Sequence, residues 1–331
     1  MTVSSSEARL KQGAHPDPLD TTGPGRQPHL WSVRQQRAWG SRGMQAFRAA
    51  LMAPGAEDTR AGMLDDLSAY YGMTPDECVE RCINWEAWSV QEWKAARRDS
   101  PDGLAEFYQT IQSWSFDLLW YAYLQAEGIA YPVGVVIAGG LAQPRQGARH
   151  LDFGSGVGVT SQMFARLGYQ TELADISTSL LAFARFRLER RHEPANYLDL
   201  NTTQLGVGRY DVITAVDTLV HVPDLRATTQ MLHRALKPGG YLFANFDVRP
   251  RTDENAWHLY EDDLPLRWQL QRIGFEPEET LDGMVTRYRR VEAQGPLYAA
   301  RGVRDAVLLR SPLRRVVRTT RATLRHVLRD S

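Results

Sequence analysis

The sequence contains only two cysteines, and this scarcity excludes two kinds of stabilised site. Cys78 and Cys82 stand four residues apart in a segment with helical periodicity. A structural zinc site needs about four ligands, and a disulfide framework needs several cysteine pairs. One such pair supplies neither, so we interpret both thiols as apolar core residues and expect no metal site.

Lysine is equally scarce, and long apolar runs are absent. Only three of the 39 basic residues are lysines, while the formal net charge is zero. The longest apolar stretch, YPVGVVIAGGLA, contains glycines and is shorter than the ~20 residues that a membrane-spanning helix needs. No signal-peptide pattern is present either. These absences predict a cytoplasmic location, and 43% hydrophobic content over 331 residues is enough for a substantial core.

Changes of composition along the chain predict four segments. Residues 1–30 are rich in Ser, Gly, Pro and Asp, which predicts a disordered leader. Residues 31–147 carry helical patterns and many aromatic residues, and we expect a helical cap or lid. Residues 148–292 alternate short apolar runs with helical patterns, as βαβ units do. Residues 293–331 read as a basic amphipathic extension.

The sequence of the predicted cap contains signals for two helix N-termini. In TPDECVERC, Thr74 is placed as N-cap, Pro75 as the first helical residue and Glu77 as the partner in a capping box. In SPDGLAEF a second helix starts, and apolar residues then recur at helical spacing from residue 104 to 118. The aromatic rings here exceed what two or three short helices bury among themselves, so we expect them to pack on the next domain or on a ligand.

The last 31 residues carry nine arginines and two aspartates, which gives nine minus two, a net charge of +7. Apolar residues between Leu313 and Leu328 fall on one helical face and predict a basic amphipathic helix. Two interpretations stay open. The helix docks on an acidic surface of this protein, or it contacts a membrane surface or nucleic acid.

A glycine-rich loop opens the βαβ region. LDFGSGVGVT reads as a buried strand, a loop containing Gly154, Gly156 and Gly158, and the start of a helix. A phosphate-binding P-loop would carry a lysine, and this loop has none. A dinucleotide-binding loop has the spacing GxGxxG, whereas the third glycine comes one residue early here. The loop alone therefore leaves a nicotinamide dinucleotide and a phosphate-free cofactor open.

Two acidic residues near the loop narrow this choice. Asp175, about twenty positions further on, would hydrogen-bond ribose hydroxyls with either cofactor. Asp152 lies in the strand directly before the loop, where a pyrophosphate would make a carboxylate unfavourable. An ammonium and a sulfonium group would attract the same carboxylate. The residues thus favour a sulfonium cofactor.

Four motifs occur in sequence, namely LDFGSGVG, LADIS, YDVITAVDTLVHVPD and LKPGGYLFANF. Together they resemble the motif series of class I S-adenosylmethionine-dependent methyltransferases, over about residues 148–292. The resemblance implies an α/β fold, a Rossmann-like seven-stranded, mostly parallel sheet with helices on both faces. The N-terminal α-helical cap is similar to that of uncharacterised bacterial members and would lie on the acceptor side. The implied cofactor is S-adenosyl-L-methionine.

The resemblance also implies which residues hold the cofactor. The glycine loop would approach its methionine part, and Asp152 would orient its amino group. Asp175 would accept from both ribose hydroxyls, and Asp199 from the adenine amino group, although Asp175 or Asp199 has the alternative role of a helix N-cap. The complete implied set is Asp152, Gly154, Ser155, Gly156, Gly158, Asp175, Ile176 on the adenine face, Asp199, Leu200 through its backbone N–H, and Asp217.

Three residues are candidates for catalysis. Asp217 follows the fourth predicted strand, where members of the family line the methyl-transfer site. His221 lies just beyond it and could deprotonate an acceptor hydroxyl near neutral pH, with structural positioning as the alternative. His258, in WHLYEDD, is a candidate of the same kind. Methyl transfer needs mainly in-line alignment in a dry site, so a catalytic residue can also be absent.

The sequence therefore predicts an enzyme that methylates an oxygen or nitrogen atom of a small, lipid-like or secondary-metabolite acceptor. The alternatives are an NAD-dependent oxidoreductase and a non-catalytic S-adenosylmethionine-binding module. The strand end AVDTLVHV lacks the NPPY-type motif of enzymes that methylate nucleic-acid bases at amino groups, which disfavours such partners. Peripheral membrane contact through residues 301–331 stays a possible partner interaction, and no motif fixes the oligomeric state.

Overall fold

The computed structural model describes residues 31–96, 101–141, 147–193, 195–249, 252, 257–293 and 295–310. The predicted leader and residues 311–331 lie outside the described residues. Within the described ranges no helix is both long and apolar enough to cross a membrane.

Eight helices form the N-terminal part of the described chain. They are α1 (Val33–Trp39), α2 (Arg42–Leu51), α3 (Thr59–Tyr71), α4 (Pro75–Ile83), α5 (Trp85–Ala95), α6 (Pro101–Thr110), α7 (Ser113–Ala126) and α8 (Val133–Gly139). The predicted capping box of α4 is confirmed. The Glu77 carboxylate accepts from the Thr74 N–H at 2.7 Å, and the Thr74 hydroxyl accepts from the Glu77 N–H at 3.3 Å.

The helical spacing predicted without interruption from residue 104 to 118 is wrong, because the chain breaks between α6 and α7. At the break, the Glu92 carboxylate accepts from the backbone N–H groups of Gln112 at 3.0 Å and Ser113 at 3.2 Å. These are the donors that a new helix leaves without intrahelical partners. A side chain from α5 thus stabilises a helix start that the apolar periodicity conceals.

Seven strands and five helices follow. In chain order they are β1 (Arg149–Phe153), α9 (Val159–Arg166), β2 (Gln170–Asp175), α10 (Thr178–Arg190), β3 (Asn196–Asp199), β4 (Tyr210–Ala215), α11 (Leu225–Ala235), β5 (Leu236–Ala244), α12 (Asp263–Ile273), β6 (Phe275–Leu281), β7 (Val285–Arg290) and α13 (Pro296–Arg310), with a short 3-10 helix at Leu219–His221 between β4 and α11. The sequence predicted this alternation, including the closing strand pair.

The strands form one sheet in the order β3-β2-β1-β4-β5-β7-β6. β1 pairs in parallel with β2 and β4, and β4 with β5, whereas β7 runs antiparallel to β5 and β6. The predicted Rossmann-like, mostly parallel seven-stranded sheet is confirmed. The order reverses at β1, whose neighbours are β2 and β4, and ligands of open α/β sheets bind at such a point, beyond the carboxyl ends of the strands.

The LKPGG segment belongs to the fifth strand rather than to the helix before it, because α11 ends at Ala235 and β5 begins at Leu236. The first part of β5 pairs irregularly, with Tyr210 opposite Leu236 and then Val212 opposite Tyr241. The proline and glycine residues therefore form a bulge in the strand, the irregularity that such residues allow.

Contacts divide the described chain into two compact units. The first unit contains α1–α8 together with residues 155–168 and 175–199, hence α9, α10 and β3. The second unit contains the chain through β1 to Gly154, residues 169–174, and the chain from Leu200 onward.

Aromatic rings make up much of the core of the first unit. Tyr71 lies with its ring centroid 4.8 Å from that of Phe116 and 5.8 Å from that of Phe183 on α10. Trp88 contacts the other side of this cluster at 5.3 Å from Phe116. Trp88, Phe116 and Tyr71 thus form a chain of ring contacts that reaches α10 within the same unit.

The two cysteines are buried in the first unit, with 0% and 1% of Cys78 and Cys82 exposed. Burial raises the pKa of both thiols. Their interpretation as apolar core residues is confirmed.

In the second unit, α13 packs against α12 and β6. Arg301 donates to both carboxylate oxygens of Glu276, and the Tyr298 hydroxyl donates to the same carboxylate at 2.9 Å. The Arg304 guanidinium lies 4.6 Å from the ring centroid of Trp268. The first part of the basic extension therefore docks on this unit, whereas the predicted amphipathic helix between Leu313 and Leu328 lies outside the described residues.

Candidate functional site

The glycine loop has the backbone that its sequence requires. Gly154, Gly156 and Gly158 have φ values of +74°, +51° and +79°, a region that other residues rarely adopt. A Cβ atom at Gly154 would collide with the side chain of Thr218, and one at Gly156 would lie 2.7 Å from Leu118 Cδ1. The fold therefore requires glycine at these positions, whether or not a ligand approaches the loop.

Asp175 is tied to this loop in the first unit. Its Oδ2 accepts from the Gly156 N–H at 2.9 Å, and its Oδ1 accepts from the Ser177 N–H at 2.9 Å. The N-cap of α10 is Ser177, whose hydroxyl accepts from the Leu180 N–H, so the alternative role of Asp175 as N-cap is wrong. Burial raises the pKa of the Asp175 carboxyl, while the backbone donors, including Ile176, oppose that rise.

An ionised carboxylate accepts about four hydrogen bonds. The three backbone donors to Asp175 therefore leave capacity for at least one further donor. Beside it, the side chain of Ile176 is 37% exposed.

Two further features of the first unit concern polar groups. The Ser155 hydroxyl oxygen is buried, and within the described residues it has no hydrogen-bond partner. Asp199 ends β3 half-buried, and the residues that follow form a turn rather than a helix. The alternative role of Asp199 as an N-cap is therefore wrong. Leu200, the first residue of the second unit, is also half-buried.

A buried charge network fixes the other side of the glycine loop. Arg187 on α10 is fully buried and donates to the Val157 carbonyl in the loop at 2.6 Å and to the Ala50 carbonyl at the end of α2 at 2.8 Å. Its counter-charge is Asp66 on α3, at 3.0 Å. Arg191 adds a second contact to Asp66, at 2.7 Å. The N-terminal helices and the loop thus belong to one hydrogen-bonded structure, which the sequence patterns did not reveal.

In the second unit, Asp152 belongs to a chain of three buried polar side chains. The Thr214 hydroxyl donates to Asp152 Oδ1 at 2.7 Å and lies 2.9 Å from His150 Nε2. Asp152 stands opposite Thr214 in the parallel β1–β4 ladder, and His150 lies two residues earlier on β1. Because side chains two apart on a strand share a face, all three lie on one face of the sheet. No sequence motif distinguishes His150 or Thr214.

Asp217, just after β4, is held by Asn245, just after β5. The Asp217 N–H donates to Asn245 Oδ1 at 2.7 Å, and the Asn245 amide donates to Asp217 Oδ1. Asp217 has φ +51°, a strained value for a residue with a side chain, and strain of this kind is concentrated at functional sites. The residue is exposed, whereas Asn245 is buried.

The rings of His221 and His258 are neighbours in the structure, with their centroids 4.8 Å apart. The backbone partner of His221 is Trp257, which lies 36 residues further along the chain. His221 Nδ1 contacts the Trp257 carbonyl at 2.9 Å, and His258 Nδ1 contacts the Asp247 carbonyl at 3.0 Å. A carbonyl only accepts, so each Nδ1 carries the proton and each Nε2 is the basic nitrogen.

Burial lowers the pKa of His221 to about 4 and also lowers that of His258. Both rings are therefore neutral at about pH 7. Among the described residues, no group of three or more His, Cys, Asp or Glu side chains is arranged to hold a metal ion. Each ring of this pair thus has a basic Nε2 nitrogen.

Residues 137–281 match a family described as a methyltransferase domain. This match identifies residues 137–281 as a methyltransferase domain. Together with the seven-stranded sheet, it supports a class I S-adenosylmethionine-dependent methyltransferase. The cofactor of this family is S-adenosylmethionine, which decides against the dinucleotide interpretation of the glycine loop.

Curated relatives of the methyltransferase domain include a ubiquinone biosynthesis O-methyltransferase of Xanthomonas oryzae pv. oryzae, 37% identical over 100 residues, or 29% of this chain and 42% of the relative. A protein of the same name from Cronobacter sakazakii is 35% identical over 109 residues, 32% of this chain and 43% of the relative. The chain thus spans less than half the length of these relatives. A solved structure of Haemonchus contortus phosphoethanolamine N-methyltransferase 2 with S-adenosyl-L-methionine is 20% identical, with a TM-score of 0.43, and covers 52% of this chain and 44% of its own.

Several features of the methyltransferase domain fit its cofactor. The buried Ser155 hydroxyl lacks a partner within the described residues, Asp175 retains acceptor capacity, and Ile176 is exposed beside it. The sequence patterns placed these residues correctly at strand ends. They did not reveal Asn245, Thr214 or His150, because those side chains act through pairings across strands.

Proposed function

We propose that this protein transfers a methyl group from S-adenosyl-L-methionine to a hydroxyl oxygen of a small molecule. The observation that carries the proposal is the neutral His221 ring, whose Nδ1 proton is held by the Trp257 carbonyl and whose Nε2 is basic. The curated relatives named as O-methyltransferases support the choice of oxygen.

Binding of the cofactor would use the residues at the strand ends. Asp175 would accept from the ribose hydroxyls, and Asp152 would attract the ammonium group. The exposed Ile176 side chain would cover one adenine face, while Asp199 and the Leu200 N–H would recognise the adenine edge. Removal of the exposed apolar surface of Ile176 from water supports binding.

The cofactor supplies a methyl group that its sulfonium charge has already activated, so the protein has mainly to align the acceptor and exclude water. A hydroxyl that gains a methyl group becomes strongly acidic, so even a base with a pKa of about 4 can take its proton. His221 would accept it through Nε2. The Asp217 carboxylate, clamped by Asn245, would orient the acceptor by accepting a hydrogen bond from a second donor group of that molecule, because the single hydrogen of the reacting hydroxyl goes to His221.

The cofactor part of the proposal is tested by calorimetric titration with S-adenosylhomocysteine and with NADH. We expect binding of the first and none of the second. Asp175→Ala should weaken binding by about 1–3 kcal/mol, because a charged hydrogen bond is lost. Asp65→Ala, a change of a half-exposed carboxylate on α3, is the matched control. Binding of NADH without S-adenosylhomocysteine would overturn the proposal.

The acceptor part is tested by mass-spectrometric detection of methylated products from catechol and from 1,2-diaminobenzene, its amine counterpart. We expect the hydroxyl compound to be methylated. His221→Ala should lower kcat by about a hundredfold while leaving S-adenosylhomocysteine affinity unchanged. His233→Ala is the control, because this buried histidine binds the Val291 carbonyl outside the proposed site. Methylation of the diamine alone would contradict oxygen as the acceptor.

A further inference from the structure

The polar chain on the β1–β4 face has a defined proton order. A hydroxyl has one hydrogen, and that of Thr214 points to Asp152 Oδ1 at 2.7 Å. The contact between Thr214 and His150 Nε2 at 2.9 Å can then form only if the imidazole donates. The order is therefore His150 Nε2–H to Thr214 Oγ1–H to Asp152 Oδ1.

All three members are shielded from water, with 0% of His150, 0% of Thr214 and 6% of Asp152 exposed. Burial lowers the pKa of His150 to about 3, so the ring is neutral and keeps this single donor at physiological pH. In a dry environment a polar group is costly unless it is paired, which fixes the direction of the whole chain.

We propose that His150 and Thr214 are positioning residues that aim the Asp152 carboxylate at the amino group of the cofactor. The inference rests on the proposed function. His150 prevents the Thr214 hydroxyl from turning its hydrogen away, and Thr214 holds one oxygen of Asp152, so that the other oxygen has a fixed direction. An ammonium group gains most from a carboxylate whose geometry is set before binding.

Two nucleosides separate this role from a general effect on folding. S-adenosylhomocysteine contains the amino-acid group, whereas 5′-methylthioadenosine has the adenosine and sulfur but lacks that group. Thr214→Val preserves the shape of the side chain and removes the hydroxyl. We expect this variant to bind S-adenosylhomocysteine about tenfold more weakly and 5′-methylthioadenosine as the wild type does, because only the former presents a charged donor to Asp152.

Thr214→Ser should restore the affinity, since serine returns the hydroxyl. Thr229→Val is the matched control, because Thr229 is fully buried and its hydroxyl donates to the Leu225 carbonyl within α11. It should leave both affinities unchanged. His150→Leu should weaken S-adenosylhomocysteine binding alone, as Thr214→Val does. His150→Gln keeps a donor at the end of its side chain and should weaken that binding less. This second pair carries the test should Thr214→Val fail to fold.

Equal weakening of both nucleosides by Thr214→Val, or no weakening of either, would overturn the positioning role. Binding of neither nucleoside by the wild-type protein would overturn the proposed function as well. The two failures are therefore distinguishable in one set of titrations.

Discussion

Replacing Asp66 with asparagine should destabilise the protein far more than the same change at Asp65. Asp66 is fully buried, and its carboxylate accepts hydrogen bonds from Arg187, Arg190 and Arg191. Burial lowers the pKa of Arg187 to about 10, so its guanidinium stays charged at physiological pH. Asp66→Asn would leave that buried charge without its counter-charge, and breaking a buried pair in this way costs about 3–5 kcal/mol.

Asp65 provides the comparison from the same helix. Its side chain is 47% exposed and pairs with Arg190 at 2.5 Å. Exposed pairs contribute about 0–1 kcal/mol, because water screens the charges and side-chain entropy opposes the contact. The two neighbouring substitutions should therefore differ by at least about 2 kcal/mol in the free energy of unfolding.

Urea titration followed by tryptophan fluorescence measures this difference. An unchanged m value together with a lower midpoint would show that stability, rather than the unfolded state, has changed. Equal losses for Asp65→Asn and Asp66→Asn would refute the reasoning, because burial of the charge would then have no consequence.

Three further predictions follow. Below pH 6.5 only the unfolded chain protonates His150, whose folded pKa is about 3, so His150 should contribute about 2 kcal/mol to the stability lost from about pH 7.5 to 5. Other histidines with lowered pKa, such as His221, add to that loss. In urea titrations His150→Gln should remove the share of His150 and make the pH slope shallower, and an unchanged slope would contradict this. Gly154→Ala should destabilise the protein by about 1–3 kcal/mol, because of the positive φ at Gly154 and the clash of a Cβ atom with Thr218. Gly139→Ala, the control, should not destabilise it, because the space around Gly139 is open. Equal melting temperatures of the two variants would contradict this prediction. If residues 311–331, with six arginines and one aspartate, contact a membrane surface, their deletion should abolish salt-sensitive sedimentation with anionic vesicles. If they dock on this protein instead, their deletion should lower the melting temperature.

Strand ends and the glycine loop were accessible from the sequence because local patterns encode them. LDFGSGVG combines buried strand residues with glycines that must adopt positive φ, and LADIS places Asp175 at the end of the next strand. The break between α6 and α7 was not accessible, because it depends on a carboxylate of α5, Glu92. Periodicity reports which face of a helix is apolar, but not where a distant side chain ends it.

The histidines show the same limit within the candidate site. The sequence identified His221 and His258 separately, each by its place after a strand or before a helix. Their 4.8 Å separation and their common tautomer arise only when the chain brings the Trp257 and Asp247 carbonyls to their rings. The protonation state that makes them bases is therefore a property of the fold.

The sequence by itself determined the alternation of strands and helices, the glycine loop without a P-loop lysine and the acidic residues at the strand ends. Each of these features depends on residues that are neighbours along the chain. Only the tertiary structure decided that Asp152 is held by Thr214 and His150, that Asn245 clamps Asp217, and that Asp66 and Arg187 join the N-terminal helices to the loop. The physical reason is that buried polar groups must find partners, and the partners available to them are set by packing rather than by sequence separation.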